Sequence, residues 1–295
     1  MDFTDPKSSK KKLKDENITI VHSHHRMAAL YARLLCGKNV IRIANAHNTF
    51  QDKKVMTQIA YSGTKVIAVG ERVKRNLVEY FRLLESQVSV IHNTVKPFEG
   101  TIQSVQEFEA ARKEGCVLIG NIGRLSEQKG MEYFIQAISK IFFKYPTARF
   151  YIVGDGEDAE MLKTKASDML PDGVLTLLGY RSDIQNIMSQ LDFIVLSSLW
   201  EGFPLTPIEA FSVGKTIVAT SVDGTLEIVK DEVNGLLVES KNVDELSNCI
   251  IRMCRDVDLR ERLENKALET FNSDFSFKIF AERYVQFYIN LVECG

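Results

Sequence analysis

Apolar, β-branched runs that alternate with segments of helical period constrain this chain more than any other feature. Near its start, "ITIVHSH", "VIRIANAH", "KVIAVG" and "QVSVIHN" read as strands, with "RMAALYARLLCG" and "ERVKRNLVEYFRLL" as helices between or beside them. Runs that are apolar throughout belong to parallel strands covered on both faces, since the crossover helices pack back onto the sheet. After the polar stretch "VKPFEGTIQSVQEFEAARKEG" the rhythm restarts with "CVLIGNIG", "ARFYIVGDG", "LTLLGY", "DFIVLSS", "KTIVAT" and "GLLVES". The expectation is an α/β chain of two Rossmann-like domains, the first shorter than the second. Its parts are a basic tail at 1–17, a first domain at 18–98, a linker at 99–114 and a second domain at 115–272. The aromatic and aliphatic spacing in "FSFKIFAERYVQFYINLVEC" predicts a terminal helix within 273–295, packed back across the domains.

Composition removes several function classes. A formal net charge of −2 over 295 residues gives no field that would draw nucleic acid. Cys36, Cys116, Cys249, Cys254 and Cys294 form no CxxC pair and no His/Cys cluster, so they read as reduced thiols. No apolar run reaches the length of a membrane span, and the lysine-rich start carries no apolar stretch of a secretory leader. A cytoplasmic protein is expected, with contact at the inner face of a membrane as a further reading. Lys10, Lys11, Lys12 and Lys14 could meet anionic headgroups, and the basic helix at Arg72, Lys74, Arg75 and Arg82 could lie on the surface. The alternatives are a solvated tail and a helix with one face on the sheet.

Ligands of open α/β sheets sit at the carboxyl ends of strands, so the strand-to-loop junctions are where chemistry is sought. At "GNIGRLSEQKG", Arg124 and Lys129 stand in a glycine-flanked loop ahead of a helix, a setting that suits a diphosphate; a solvated loop is the equal alternative. At "LWEGFPLTPIEAF", Pro207 marks a first helical turn whose free N–H groups around Leu205 to Ile208 favour an anion. Glu209 near that helix start can accept from paired hydroxyls such as those of a ribose. Glu201, just before Gly202, can accept from a sugar hydroxyl. Taken singly, each glutamate is more often a surface or capping residue.

The succession "GRLSEQKG", "IVGDGED", "LLGYRSDI", "EGFPLTPIEA" and "EIVKDEVNGLLV" resembles the donor domain of the retaining glycosyltransferases of glycosyltransferase family 4. The resemblance runs over about residues 18–290 and is strongest at 117–240, with Glu201 and Glu209 matching its Glu-x7-Glu element. It implies a GT-B fold, two Rossmann-like domains facing a cleft, and places Arg124 and Lys129 on the donor diphosphate. By the same resemblance Glu209 would bind the ribose, and Glu201 with Gly202, Phe203 and Pro204 the donor sugar. The amides near Leu205 and Thr206 would meet a phosphate, Gly123 and Gly154 would line the donor site, and Tyr180 and Arg181 would lie near the base. The acidic turn "GDGED" is not read as a metal site, because the family has a similar turn and works without a bound divalent ion. No cofactor is implied: the nucleoside diphosphate sugar is itself the donor substrate, a UDP-sugar in preference to a GDP-sugar. Asp223 departs from the second glycine that the family often has in "SVDGTLEIV".

In the first half the resemblance at "VHSH" points to a histidine in the catalytic crevice, assigned here to His24, with His22 on the same side of an extended strand. His47 and Asn48 end another strand and are acceptor-side candidates, or else cap a helix. A zinc reading of "HSHH" lacks a carboxylate or cysteine at useful spacing. Family members open with a strand and a glycine-rich loop ahead of this point, so the first domain is expected to be truncated: an incomplete chain or misplaced start, a natural short form completed by a partner chain or a second copy over its open edge, or a form that binds nucleotide-sugar but transfers poorly. The function expected is retaining transfer of a hexose-type unit from a nucleoside diphosphate sugar to a saccharide or lipid-linked saccharide. Its rivals are an epimerase or phosphorylase on the same fold, and a nucleotide-sugar-binding subunit that depends on a partner chain.

Overall fold

The computed structural model describes residues 12–293 apart from Lys14 and Lys38. Lys10, Lys11, Lys14 and Cys294 therefore lie outside the described residues. The chain forms two compact units, one of residues 1–93 with 280–295 and one of residues 94–279.

The first unit holds a four-stranded parallel sheet in the order β1-β2-β3-β4: Ile20–Ser23, Ile41–Ala46, Lys65–Ala68 and Val88–Val90. Alternation along these strands sends Ile43, Ile67 and Ile91 to one face. Against them lie Phe280, Tyr284, Phe287, Tyr288 and Leu291 of the helix Phe277–Glu293, whose spacing repeats every three or four residues. The terminal helix thus packs on the first sheet from Phe280 onward. The expected helix at 71–84 is α-helical over Glu71–Arg75, widens to a π-turn over Asn76–Tyr80, and ends where Arg82 takes a φ of 59°. It buries Val73, Leu77 and Phe81 completely, which makes it a packed helix with a basic outer face.

All six strands expected in the second half form, as one parallel sheet in the order β10-β9-β8-β5-β6-β7. These are Val117–Ile122 (β5), Ala148–Val153 (β6), Leu175–Gly179 (β7), Phe193–Leu196 (β8), Ile217–Thr220 (β9) and Gly235–Val238 (β10). The order reverses between β5 and β8, which puts a topological switch point at the carboxyl end of β5. The central strands are buried on both faces, Phe193 to Leu196 without exposure, as near-continuous apolar runs require. Residues 99–114, expected as a linker, carry the helix Gln106–Lys113; Phe108 and Ala111 are buried and Phe108 meets Tyr151 edge-on. The polar look of that stretch comes from its exposed face. Among the described residues no helix is long and apolar enough to cross a membrane.

Candidate active site

At the switch point of the second unit a cavity of about 330 Å³ opens, bounded by Gly123 and Arg124 after β5, Gly154 after β6, Tyr180 and Arg181 after β7, and Thr206 and Glu209 of the helix Thr206–Ser212. Strand-end loops from distant parts of the sequence converge here because all six strands run the same way. Gly154 is required by the convergence: its φ is 143°, and a Cβ there would stand 1.9 Å from the Gly123 carbonyl oxygen. Gly154→Ala is expected to destabilise the second unit by more than about 1 kcal/mol, read as a lower urea midpoint, and to close the cavity to nucleotide.

Glu209 is the unusual member of this lining. Among the described residues nothing hydrogen-bonds or ion-pairs with its carboxylate, although the side chain is half-buried. Burial pushes its pKa up from the usual carboxylate value, and the Lys129 charge opposes that shift. An acceptor-only group, half-buried without donors, fits a ligand that brings hydroxyls.

Arg124 is mostly exposed and pairs with Glu157 at 3.0 Å, so its guanidinium can exchange that carboxylate for another anion. Glu157 is held below its usual value chiefly by its own backbone N–H, and also by Arg124. Arg181 is fixed in a two-bond fork on Asp183, at 2.9 and 2.8 Å, and this drives the Asp183 carboxyl down to about 2. Tyr180 beside it presents an exposed ring to the same cavity.

Glu201 occupies a different position from the one expected, and Lys129 is tied to it. Glu201, assigned to a donor-sugar hydroxyl, is buried and already engaged: Oε1 takes the Lys129 ammonium at 2.6 Å and the Ser198 hydroxyl at 2.7 Å, and Oε2 takes Gln128 Nε2 at 3.3 Å. Its side chain is 6% exposed and that of Lys129 16%. The pair therefore fixes the lysine, whose stem runs beside Gly123 at the cavity wall. Gly202, Phe203, Pro204 and Leu205 lie outside the cavity lining. Phe203 and Pro204 are buried, and the Phe203 ring packs against Phe275. The glycine after Asp223 has a local reason: a Cβ on Gly224 would stand 2.4 Å from the Gly202 carbonyl oxygen.

In the first unit His24, His47 and Asn48 line a cavity of about 280 Å³ with Asn45, Arg26 and Asp52. His24 is exposed, stacked 4.7 Å from the His22 ring and 5.9 Å from His47. His22, expected on the acceptor side, has both ring nitrogens in use. Nε2 stands 2.7 Å from Asn45 Oδ1 and Nδ1 2.6 Å from the Tyr288 hydroxyl, while Asn45 Nδ2 donates to Tyr284. Asn45 Oδ1 can only accept, so Nε2 carries the proton and Nδ1 accepts from Tyr288. His25 caps the helix Arg26–Leu35, its Nδ1 accepting from Met27 N–H. Of the three histidines in "HSHH", His22 and His25 thus have structural duties, and His24 with His47 remain open to a ligand. Asn45, Tyr284 and Tyr288 were not singled out in the sequence. The signal available was the stripe on the last helix, whose tyrosines bring hydroxyls that need partners once buried.

The His22 and His47 imidazoles are both held below their usual value of 6.5. Burial is the main cause for each; neighbouring His24 adds to it, and Asn45 opposes it at His22. A base with a depressed folded pKa takes up protons first in the unfolded chain, so its stabilising share is whole above about pH 6.5 and lost as pH falls through the folded values. Thermal unfolding of the first unit should move to lower temperature between about pH 7.5 and 5.5, and less so in His22→Gln.

Comparison with known proteins follows the same division. The family described as "Glycosyl transferases group 1" matches residues 103–270, and "Glycosyltransferase Family 4" matches residues 1–97. An uncharacterized glycosyltransferase of Methanocaldococcus jannaschii, MJ1607, is 30% identical over 236 residues, which is 77% of this chain and 60% of that protein. The UDP-Gal:alpha-D-GlcNAc-diphosphoundecaprenol alpha-1,3-galactosyltransferase of Escherichia coli is 29% identical over 306 positions, covering 95% of this chain and 78% of that one. The crystal structure of Anabaena Alr3699/HepE in complex with UDP superposes with a TM-score of 0.84 at 18% identity, over 97% of this chain and 82% of that one. A glycosyltransferase of Rickettsia africae superposes at 0.83 and 22% identity, over 98% and 81%. The two parallel-sheet units are those of the GT-B fold, and the chain belongs to the group 1 glycosyl transferases.

Proposed function

We propose that this chain transfers a hexose-type unit from a UDP-sugar, with retention of configuration, to a saccharide or lipid-linked saccharide acceptor. The observation that carries the donor half of this reading is Glu209: a carboxylate without a hydrogen-bond or ion-pair partner among the described residues, on a cavity also lined by Gly123 and Arg124 of the loop after β5. A nucleoside diphosphate supplies both complements, paired ribose hydroxyls for Glu209 and a polyanion for Arg124 and Lys129. The exposed Tyr180 ring gives a base a face to stack on. UDP is preferred because the HepE structures hold UDP or UDP-glucose and the Escherichia coli relative is named for UDP-Gal. The acceptor class follows the names of that relative and of an undecaprenol-dependent N-acetylgalactosaminyltransferase of Campylobacter jejuni, 32% identical over 173 residues.

In the proposed reaction the bond between the sugar C1 and the β-phosphate oxygen breaks as the acceptor oxygen bonds to C1 on the same face. The acceptor proton passes to a departing phosphate oxygen. Arg124 and Lys129 offset the charge that grows on the diphosphate. Glu201 acts through Lys129 as a positioning residue, and His24 orients the acceptor, with His47 and Asn48 beside it. His24→Ala separates catalysis from binding: transfer from UDP-hexose is expected to fall by roughly 100-fold or more with UDP affinity unchanged. Full transfer by that variant contradicts the acceptor assignment. UDP binding without transfer in the unaltered chain, over a panel of acceptors, favours the partner-dependent subunit.

A further inference from the structure

A second cavity of the first unit, about 420 Å³, has no part in the reading so far. Arg72, Arg75, Asn76 and Tyr80 line it from the helix, and Thr49 and Phe50 from the loop after β2. Phe50 and Thr49 also line the His24 cavity, so the two adjoin. The site is built on tertiary ties. Asn76 Oδ1 accepts from the Phe50 N–H at 3.3 Å, and the Tyr80 hydroxyl donates to the Gln51 carbonyl. The helix leaves α geometry for a π-turn at Asn76, the point where it meets this loop, and such turns recur at functional sites. Arg72 and Arg75 are three residues apart and share a helical face. Of the charged groups that line the cavity two are cations, Arg72 and Arg75, and one a carboxylate, Glu79. Lys54 lies 4.8 Å over the Tyr80 ring, and Arg26, 4.5 Å over Phe50, is paired with Asp52 at 3.0 Å.

We infer that this cavity holds the phosphate or diphosphate of the acceptor, with Arg72 and Arg75 as its cationic clamp. The inference rests on the lipid-linked-saccharide reading above and gives that acceptor a second anchor. A saccharide whose hydroxyl stands at His24 would extend its reducing end past Thr49 and Phe50, and guanidinium groups suit the phosphate found there.

The test titrates the full chain with inorganic pyrophosphate in the presence of saturating UDP, which occupies the donor site. Binding is expected, weakened by roughly 10-fold or more in Arg72→Ala and in Arg75→Ala, with UDP affinity unaltered. Arg75 and Glu79 are exposed, so Arg75→Ala and Glu79→Gln keep the fold, and Glu79→Gln should tighten pyrophosphate. Equal pyrophosphate affinity in the arginine variants, or none in the unaltered chain, overturns the inference. Failure of UDP to bind counts against the donor site instead, and the arginine comparison is then read without UDP. Cosedimentation with phosphatidylglycerol vesicles separates the remaining source of phosphate. Loss of vesicle binding in both arginine variants with pyrophosphate binding intact overturns the inference in favour of a bilayer headgroup.

Discussion

Lys129→Met should destabilise the second unit by about 3–5 kcal/mol, because it strands the Glu201 carboxylate, 6% exposed, without its cation. Ser198 and Gln128 would still donate to Glu201, yet two neutral donors do not replace a charge in a dry site. Lys129→Met with Glu201→Leu removes both charges and should regain most of that loss, as apolar replacement of a buried pair commonly does. Transfer activity should not return with it, since the cation assigned to the diphosphate in the proposed reaction is gone; a deficit of roughly 100- to 1,000-fold is expected in single and double variants alike. Urea unfolding followed by a transfer assay on the same samples checks both halves. A single variant as stable as the unaltered chain contradicts the buried pair, and a double variant with restored turnover contradicts the role of Lys129.

Glu209→Ala should do the reverse, lowering UDP affinity while leaving the fold intact or slightly more stable. Hydrogen bonds to a charged acceptor contribute about 1.5–3 kcal/mol each, so the loss of ribose contacts is expected to weaken UDP by roughly 10- to 100-fold. The pH dependence has a definite sign. Burial raises the Glu209 pKa in the folded chain, so the folded state binds this proton more tightly than the unfolded one. The carboxylate therefore costs stability above its folded pKa, and the cost disappears as pH falls below about 4.5. UDP affinity should fall on acidification sooner than an ordinary carboxylate would make it, and Glu209→Gln should abolish that portion of the pH dependence. Unfolding midpoints against pH, compared with UDP affinities over the same range, make the check.

The strands were legible because burial on both faces leaves an unbroken apolar run, and the ten strands among the described residues coincide with the ten runs that alternate with helices. The cavity of the second unit was legible for a related reason: parallel strands deliver their following loops to one edge, so Arg124 and Glu209 could be placed together by topology, while Tyr180 and Arg181 were placed by the family resemblance. What sequence did not show is partnership across distance. Glu201 lies 72 residues from the lysine that neutralises it, and His22 lies 266 from the tyrosine that claims its Nδ1. A glutamate before a glycine looks the same whether it faces a ligand or a buried ammonium, and a strand-end histidine looks the same whether open or hydrogen-bonded on both sides. The helix at 106–113 was hidden by its polar outer face, with only Phe108 and Ala111 turned inward.

The central claim is that the second unit binds a nucleoside diphosphate through the Glu209 cavity. Calorimetric titration of the chain and its Glu209→Ala variant with UDP, GDP and ADP tests it most directly. The account predicts that UDP binds most tightly of the three and that the variant loses roughly 10-fold or more of that affinity. Equal UDP affinity in the two proteins, or no binding of any of the three nucleotides, would contradict it.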